Sequence, residues 1–98
     1  MNLFVLILHI FLVQDTPINH LNGQILDKRG NPLPGVCIRS NQLNVYTDEK
    51  GHFQLKNASR KIKISAIGYL PKTQQIDSQQ KQITIILEEQ IPISFQQP

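Results

Sequence analysis

The residues of this chain that could carry out catalysis are its histidines and serines. Metallopeptidases need motifs such as His-x-x-Glu or His-Glu-x-x-His, which bring two metal ligands together. His20 is followed by Leu-Asn-Gly and His52 by Phe-Gln-Leu, while His9 lies in an apolar leader, so no such motif is present. The serines also lack the Gly-x-Ser-x-Gly setting of a nucleophile elbow. The sequence therefore predicts a protein that is not an enzyme.

Two aspartates and one cysteine are the remaining candidates for a metal or thiol site. Calcium takes six or more oxygen ligands, usually from carboxylates close in sequence. Asp27 and Asp48 lie in the turns DKRGN and TDEKG, which offer too few carboxylates for calcium, so we interpret them as turn-capping residues. Cys37 is the only cysteine, and alternation places it beside Arg39 on a partly exposed face. We interpret Cys37 as an unreactive strand residue and expect no metal and no cofactor.

One aromatic residue is a weak candidate for ligand binding. Carbohydrate sites usually offer an exposed ring to the sugar. Alternation along LNVYT places Leu43, Val45 and Thr47 on one face and Tyr46 on the other, which is predicted to be solvent-facing. Cross-strand packing is the more common role of a strand tyrosine, so Tyr46 is the one weak ligand candidate of the sequence.

The charge of the chain indicates a mildly basic surface. Ten Lys and Arg residues face seven Asp and Glu residues, which gives a net charge of +3 in 98 residues. The basic residues are scattered, and the clusters are limited to Lys28-Arg29 and Arg60-Lys61 with Lys63. Nucleic-acid binders usually gather their charge on one face and add a recognised motif. We therefore expect a solvated surface and no nucleic-acid partner.

The first nineteen residues differ in kind from the rest. Residues 3–13 are apolar except for His9, a run shorter than the about 20 residues that span a bilayer. Its position fits the apolar region of a secretory signal peptide, although no Lys or Arg precedes it and no small-x-small cleavage site follows it. An uncleaved anchor and a misassigned start codon are the alternatives. We expect residues 1–19 to be a signal peptide or leader, with no membrane-spanning segment after it.

Beyond the leader, the apolar residues repeat with period two, the period of a β-strand. Seven short alternating runs follow one another at roughly ten-residue spacing, which is typical of an all-β sandwich or barrel. We expect the domain to cover residues 20–89 and residues 90–98 to form a tail or linker. The predicted inward residues are Ile25, Val36, Ile38, Leu43, Val45, Thr47, Phe53, Leu55, Ile62, Ile64, Ala66, Ile76, Ile83, Ile85 and Leu87.

Four motifs in order resemble the carboxypeptidase regulatory-like domain family. The family patterns are G-x-(V/I)-x-D, G-x-P-L-P-G-V, T-D-x-x-G-x-F and a strand that ends in I-G-Y, and together they cover about residues 21–89 here. The motif positions with an expected role in turns or core are Asp27, Gly30, Pro32, Pro34, Gly35, Asp48, Gly51, Phe53, Gly68 and Tyr69.

The resemblance implies a seven-stranded Greek-key β-sandwich of the transthyretin (prealbumin) type. Such domains stand at the N-terminus of TonB-dependent outer-membrane receptors and beside the catalytic domains of metallocarboxypeptidases. The resemblance implies a non-catalytic accessory or regulatory module, exported to the periplasm or outer membrane of a Gram-negative bacterium. Its partner would be another envelope protein or receptor domain, with a glycan or peptide as candidate ligand. The alternatives are a stand-alone carbohydrate- or peptide-binding module and an accessory domain of a metallocarboxypeptidase.

The motif residues also have expected local roles. Pro32 and Pro34 lack amide donors, so we expect them to hold an extended connection at a sheet edge. Gly51 is expected to supply a positive φ, and both Gly51 and Gly68 are expected to lie where a Cβ atom would clash. Tyr69 is expected to lay its ring on the end of the sandwich.

Overall fold

The computed structural model describes residues 20–91, which form two β-sheets and contain no helix. No segment within this range could therefore cross a membrane as a helix. The predicted leader and most of the predicted tail lie outside the described residues, so the proposed domain boundaries stay predictions. The strands are β1 (His20–Leu26), β2 (Cys37–Ser40), β3 (Leu43–Tyr46), β4 (His52–Lys56), β5 (Lys61–Ser65), β6 (Lys72–Gln75) and β7 (Gln82–Ile86).

The strands are arranged as a sandwich of a three-stranded and a four-stranded sheet. The first sheet has the order β4-β1-β7, with β1 antiparallel to β4 and parallel to β7. The second sheet has the order β3-β2-β5-β6 and is antiparallel throughout. Each of the seven predicted runs forms one strand, so the predicted seven-stranded all-β sandwich is confirmed.

Alternation along the strands produces the core between the two sheets. In β5, Ile62 and Ile64 are at most 1% exposed, whereas the lysines beside them face solvent. Burying such aliphatic side chains contributes about 1.5–3 kcal/mol each, which makes this alternation the main stabilising feature of the sequence. The buried apolar residues are Leu21, Ile25, Val36, Ile38, Phe53, Leu55, Ala58, Ile62, Ile64, Ile76, Ile85 and Leu87.

The prediction that Leu43 faces the core is wrong, because its side chain is 69% exposed. Leu43 is the first residue of the edge strand β3 and pairs with Ser40 across a tight hairpin turn. It therefore has a neighbouring strand on one side only. Val45, two residues further from the turn, packs against the core as predicted, and Tyr46 is 63% exposed on the opposite face, as predicted.

The two sheets are joined where the chain leaves β7. The Leu70 amide donates to the Glu88 carbonyl at 2.8 Å, and the Gln90 amide donates to the Gly68 carbonyl at 2.9 Å. Tyr69, between these two bonds, pairs with Glu89 and packs its half-buried ring against the core. The connection between β5 and β6 is thereby fastened to the end of the first sheet.

Gly51 and Gly68 both have positive φ, of 74° and 87°, but their surroundings differ. A Cβ atom at Gly51 would lie 2.6 Å from the Ile25 carbonyl oxygen, so the expected clash is present there. At Gly68 nothing lies within 4 Å of the Cβ position, so the expected clash is wrong at this residue. Gly68 is required only by its φ, in a turn closed by the bond from Tyr69 to Ala66.

We predict that Gly51→Ala destabilises the fold more than Gly68→Ala. The second change costs the strain of left-handed φ, about 1–2 kcal/mol. The first adds an overlap with backbone, which raises the loss by a further ~1 kcal/mol or more. Urea unfolding of both variants beside Lys56→Ala, a change at an exposed strand residue, measures the difference. Equal losses for the two glycine variants would show that the contact with Ile25 does not constrain the turn.

Candidate functional site

Asp27 and Asp48 close two turns of the same design. In each, one carboxylate oxygen accepts the amides two and four residues ahead, at 2.9 and 2.8 Å. The third residue after each aspartate is a glycine with positive φ, Gly30 or Gly51. The aspartate amide also donates to the carbonyl four residues ahead, Asn31 or His52. The repeated Asp-x-x-Gly spacing in DKRG and DEKG is the sequence signal of this shared turn.

The amide donors lower the pKa of both aspartates. For Asp27 the main cause is the backbone hydrogen bond from Asn31, and for Asp48 it is the backbone hydrogen bond from His52. Hydrogen bonds to the ionised form favour that form over the neutral carboxylic acid. Each carboxylate therefore serves as an ionised turn cap, with its oxygen directed at backbone amides of its own turn.

The proline-containing segment crosses from the first sheet to the second. Leu33 donates its amide to the Ile25 carbonyl at 3.0 Å, and Pro32 bridges to Leu26 at the end of β1. The two prolines lack amide protons, so Leu33, Gly35 and Val36 supply the only backbone donors of residues 32–36. All three donors have acceptors in the structure.

Thr47 supplies most of the partners that this segment needs. Its buried hydroxyl donates to the Leu33 carbonyl at 2.7 Å and accepts the Val36 amide at 2.9 Å. Its carbonyl accepts the Gly35 amide, and its amide donates to the Val36 carbonyl, both at 3.0 Å. We call the set of Asp27, Leu33, Thr47, Asp48 and Gly51 the junction. The sequence places Thr47 inward and in the T-D-x-x-G-x-F motif, but its role in holding the crossing appears only in the structure.

Gly51 ties the second turn to this crossing. Its carbonyl accepts the Ile25 amide at 2.8 Å, and a Cβ atom at Gly51 would lie 3.1 Å from the Leu33 nitrogen and 3.2 Å from Cβ of Pro32. The two Asp turns and the proline segment therefore meet around the end of β1. Pro34 and Gly35 are exposed, and no atom lies within 4 Å of the position that a Cβ atom at Gly35 would take.

Phe53 enters the core directly above Gly23. The two residues are paired in register between β4 and β1, and a Cβ atom at Gly23 would overlap the Phe53 ring. Gly23 is the first residue of the G-x-(V/I)-x-D motif, but the steric reason for a glycine there needs the register of β1 and β4.

Among residues 20–91, no group of three metal-ligating side chains comes together. Ser40 and Ser59 do form a hydroxyl pair at 3.2 Å, but the Ser59 hydroxyl also donates to the Lys61 carbonyl and the Ser40 oxygen accepts the Ser59 amide. These bonds fix a bend before β5. In the described part of the chain, no histidine is hydrogen-bonded to a serine, threonine or cysteine side chain, so no activated nucleophile of the Ser-His type is assembled there.

The described surface also has two shallow depressions, and neither is lined by a junction residue. One, of about 490 Å³, lies on the outer face of the first sheet and is lined by the uncharged polar side chains of Asn22, Gln24, Gln82 and Thr84 together with His52. The other, of about 370 Å³, lies between the β6 and β7 edges and has an apolar floor at Leu70, Pro71 and Ile86. Tyr46 lies at neither depression, on the outer face of the second sheet.

The junction residues are thus held by structural hydrogen bonds, and a family model matches the part of the chain that contains them. The model of the CarboxypepD_reg-like domain matches residues 21–94. The chain belongs to this family. The matched residues of the CarboxypepD_reg-like domain include every residue of the junction. Among curated proteins none matches the chain by sequence.

Two solved structures share the fold of the CarboxypepD_reg-like domain. A mutant type II cohesin-X-dockerin complex from Acetivibrio cellulolyticus has a TM-score of 0.57 at 17% identity, over 72% of this chain and 58% of that chain. A second mutant of the same complex has a TM-score of 0.54 at 17% identity, over 70% of this chain and 56% of that one. At such low identity the likeness shows the fold alone, and the chain spans just over half the length of these neighbours.

We predict that Thr47→Val destabilises the domain by about 1–3 kcal/mol. The change keeps the side-chain shape but leaves the Val36 amide and the Leu33 carbonyl without their partner in a buried place. Thr84→Val, at an exposed position of β7, is the matched control and should stay within about 0.5 kcal/mol. Thermal and urea unfolding measure both. If the two variants have the same midpoint, the Thr47 hydroxyl does not hold the crossing.

We predict that acid destabilises the domain through the two Asp turns. Because folding lowers the pKa of Asp27 and Asp48, their stabilisation is complete above the unfolded value, about 4, and is lost as the pH falls through the lowered folded values. Asp27→Asn combined with Asp48→Asn keeps an oxygen acceptor but removes this titration.

The measurement is the urea midpoint between pH 5 and pH 2.5. The double variant should lose less stability over this range than the native chain or the matched variant Glu49→Gln. The Glu49 carboxylate lies in the second turn and has no hydrogen-bond partner among the described residues. Parallel pH profiles for all three proteins would contradict the role of the two caps.

Proposed function

We propose that this chain is a non-catalytic accessory domain of the Gram-negative cell envelope, of the kind attached to the N-terminus of TonB-dependent outer-membrane receptors. The observation that carries the proposal is the use of the family motif in the junction. Asp27, Thr47 and Asp48 are the motif residues best suited to chemistry, and their oxygen atoms are hydrogen-bonded to backbone groups of the fold. A domain built in this way supplies a rigid scaffold whose outer surfaces are available to a partner.

The apolar run of residues 3–13 supports placement outside the cytosol. Cys37 agrees with that placement, because a single half-buried cysteine makes no intramolecular disulfide and does not depend on a reducing compartment for its fold. The open edges of β6 and β7 give the domain a route for attachment to a larger envelope protein. The Lys72 side chain donates to the Ile86 carbonyl at 3.4 Å across these edges. Among the described residues, neither β6 nor β7 has a partner strand on its outer side, so a strand of another protein could add there.

We predict that the tagged full chain, expressed in a Gram-negative host, is recovered in the periplasm or outer membrane and is shortened by its leader. The reason is the apolar run, and the missing positive residues before it predict slow export. Cell fractionation with mass determination is the measurement. A variant that begins at His20 is the matched control and should stay in the cytosol. Recovery of the full-length chain in the cytosol alone would contradict the envelope proposal.

A further inference from the structure

The outer face of the four-stranded sheet carries positive charge without an acidic residue. The register places Asn44, Arg39, Lys63 and Thr73 in one row across β3, β2, β5 and β6. All four side chains are exposed. Lys61 lies on the same face two residues along β5, and no Asp or Glu occurs in any of these four strands. Lys61 and Lys63 belong to a basic cluster that the sequence shows, and the strand register adds Arg39 to it.

Arg39 and Lys63 form the centre of this basic face. They are direct partners in the antiparallel ladder of β2 and β5, at a Cα separation of about 4.5–5.5 Å. Like charges at such positions are destabilising. The one ion pair in the described residues joins Lys28 to Glu88 at 3.0 Å, on other segments, so it does not neutralise Arg39 or Lys63.

Edge protection does not explain these two cations. Lysine often occurs on edge strands, where it discourages pairing with another chain. In this sheet β3 and β6 are the edges, whereas β2 and β5 are the two central strands. Strand propensity does not explain Lys63 either, because lysine is depleted in strands. An anionic ligand, by contrast, would neutralise the pair and remove the repulsion.

The neighbours of the pair indicate which anion fits. Tyr46, 63% exposed, follows in the next row of the same face, beside Cys37 and Ser65. Its ring offers an apolar platform of the kind that carries a sugar ring. Asn44 and Thr73 flank the cations with neutral donors and acceptors. The face thus combines positive charge, hydroxyl-binding groups and one aromatic ring.

Other polyanions match this face less well. Non-specific binding of single-stranded nucleic acid relies on several aromatic rings that stack successive bases, and Tyr46 is the single aromatic of these four strands. Protein interfaces are enriched in arginine and tyrosine, but their centres are apolar and depleted of lysine, whereas the row through Arg39 and Lys63 has no apolar side chain.

We propose that this face, formed by Arg39, Lys63, Tyr46, Asn44 and Thr73, binds an acidic polysaccharide. Carboxylates of the polymer contact Arg39 and Lys63, and one sugar ring lies on Tyr46. The inference goes beyond the accessory-domain proposal and does not require a receptor, so the two fail separately: the location of the chain tests one and its ligand tests the other.

The test titrates the full chain with a hexasaccharide of uronic acid at low and at physiological salt, using calorimetry. Arg39→Gln with Lys63→Gln should lower the affinity about tenfold or more. Lys56→Gln with Lys81→Gln removes the same charge from exposed positions outside the four strands and should leave the affinity within about twofold. The first double variant should also melt at the native temperature or above it, because the like-charged pair is gone.

Tyr46→Ala distinguishes a polysaccharide from a general polyanion. It should weaken binding of the hexasaccharide about tenfold and leave the weaker binding of poly-glutamate unchanged. Four results would overturn the proposal: no binding of the hexasaccharide by the native chain, equal losses in the two double variants, no effect of Tyr46→Ala, or tighter binding of poly-glutamate or of duplex DNA than of the hexasaccharide.

Discussion

The hydroxyl group of Thr47 holds the crossing on which the sandwich depends. The chain must pass from β1 in one sheet to β2 in the other, and a crossing segment cannot belong fully to either hydrogen-bond ladder. Buried backbone groups without partners are costly, so each one needs an acceptor or donor from elsewhere. Thr47 supplies four bonds to this segment, two from its hydroxyl and two from its backbone. A threonine just after an edge strand thereby completes the ladder that the crossing interrupts.

The two prolines belong to the same solution. Pro32 and Pro34 remove two donors from the segment, and the three donors that remain all have acceptors. Each proline also restricts the unfolded chain, which lowers the entropy lost on folding by about 0.4–1 kcal/mol where the native φ suits it. The two prolines between β1 and β2 are thus explained by the hydrogen-bonding needs of the backbone and by the restricted unfolded chain. No chemistry of its side chains is needed.

The sequence predicts local features of this fold better than features that depend on register. Period-two alternation is a property of each strand alone, so all seven strands and most of the core could be found from it. Leu43 could not be placed, because its exposure depends on its position at the end of an edge strand. The overlap of Gly23 with Phe53 and the pairing of Arg39 with Lys63 need the register between strands that are far apart in sequence. At Gly68 the predicted steric clash is absent, and the residue is constrained only by its positive φ.

The acidic residues that the structure describes lie in turns and connections, and this placement also leaves the four-stranded sheet with positive charge only. Every acidic residue in residues 20–91 lies outside the strands, and Asp27 and Asp48 show why, since a carboxylate in a turn accepts backbone amides that no strand partner reaches. Placing acids in turns leaves the central strands without a counter-charge for Arg39 and Lys63. Outward residues of a sheet do not affect core packing, so such a face can change without disturbing the junction. The motif residues therefore hold the turns and the crossing of the fold, and the outward positions of its strands carry the face that we propose as a binding site.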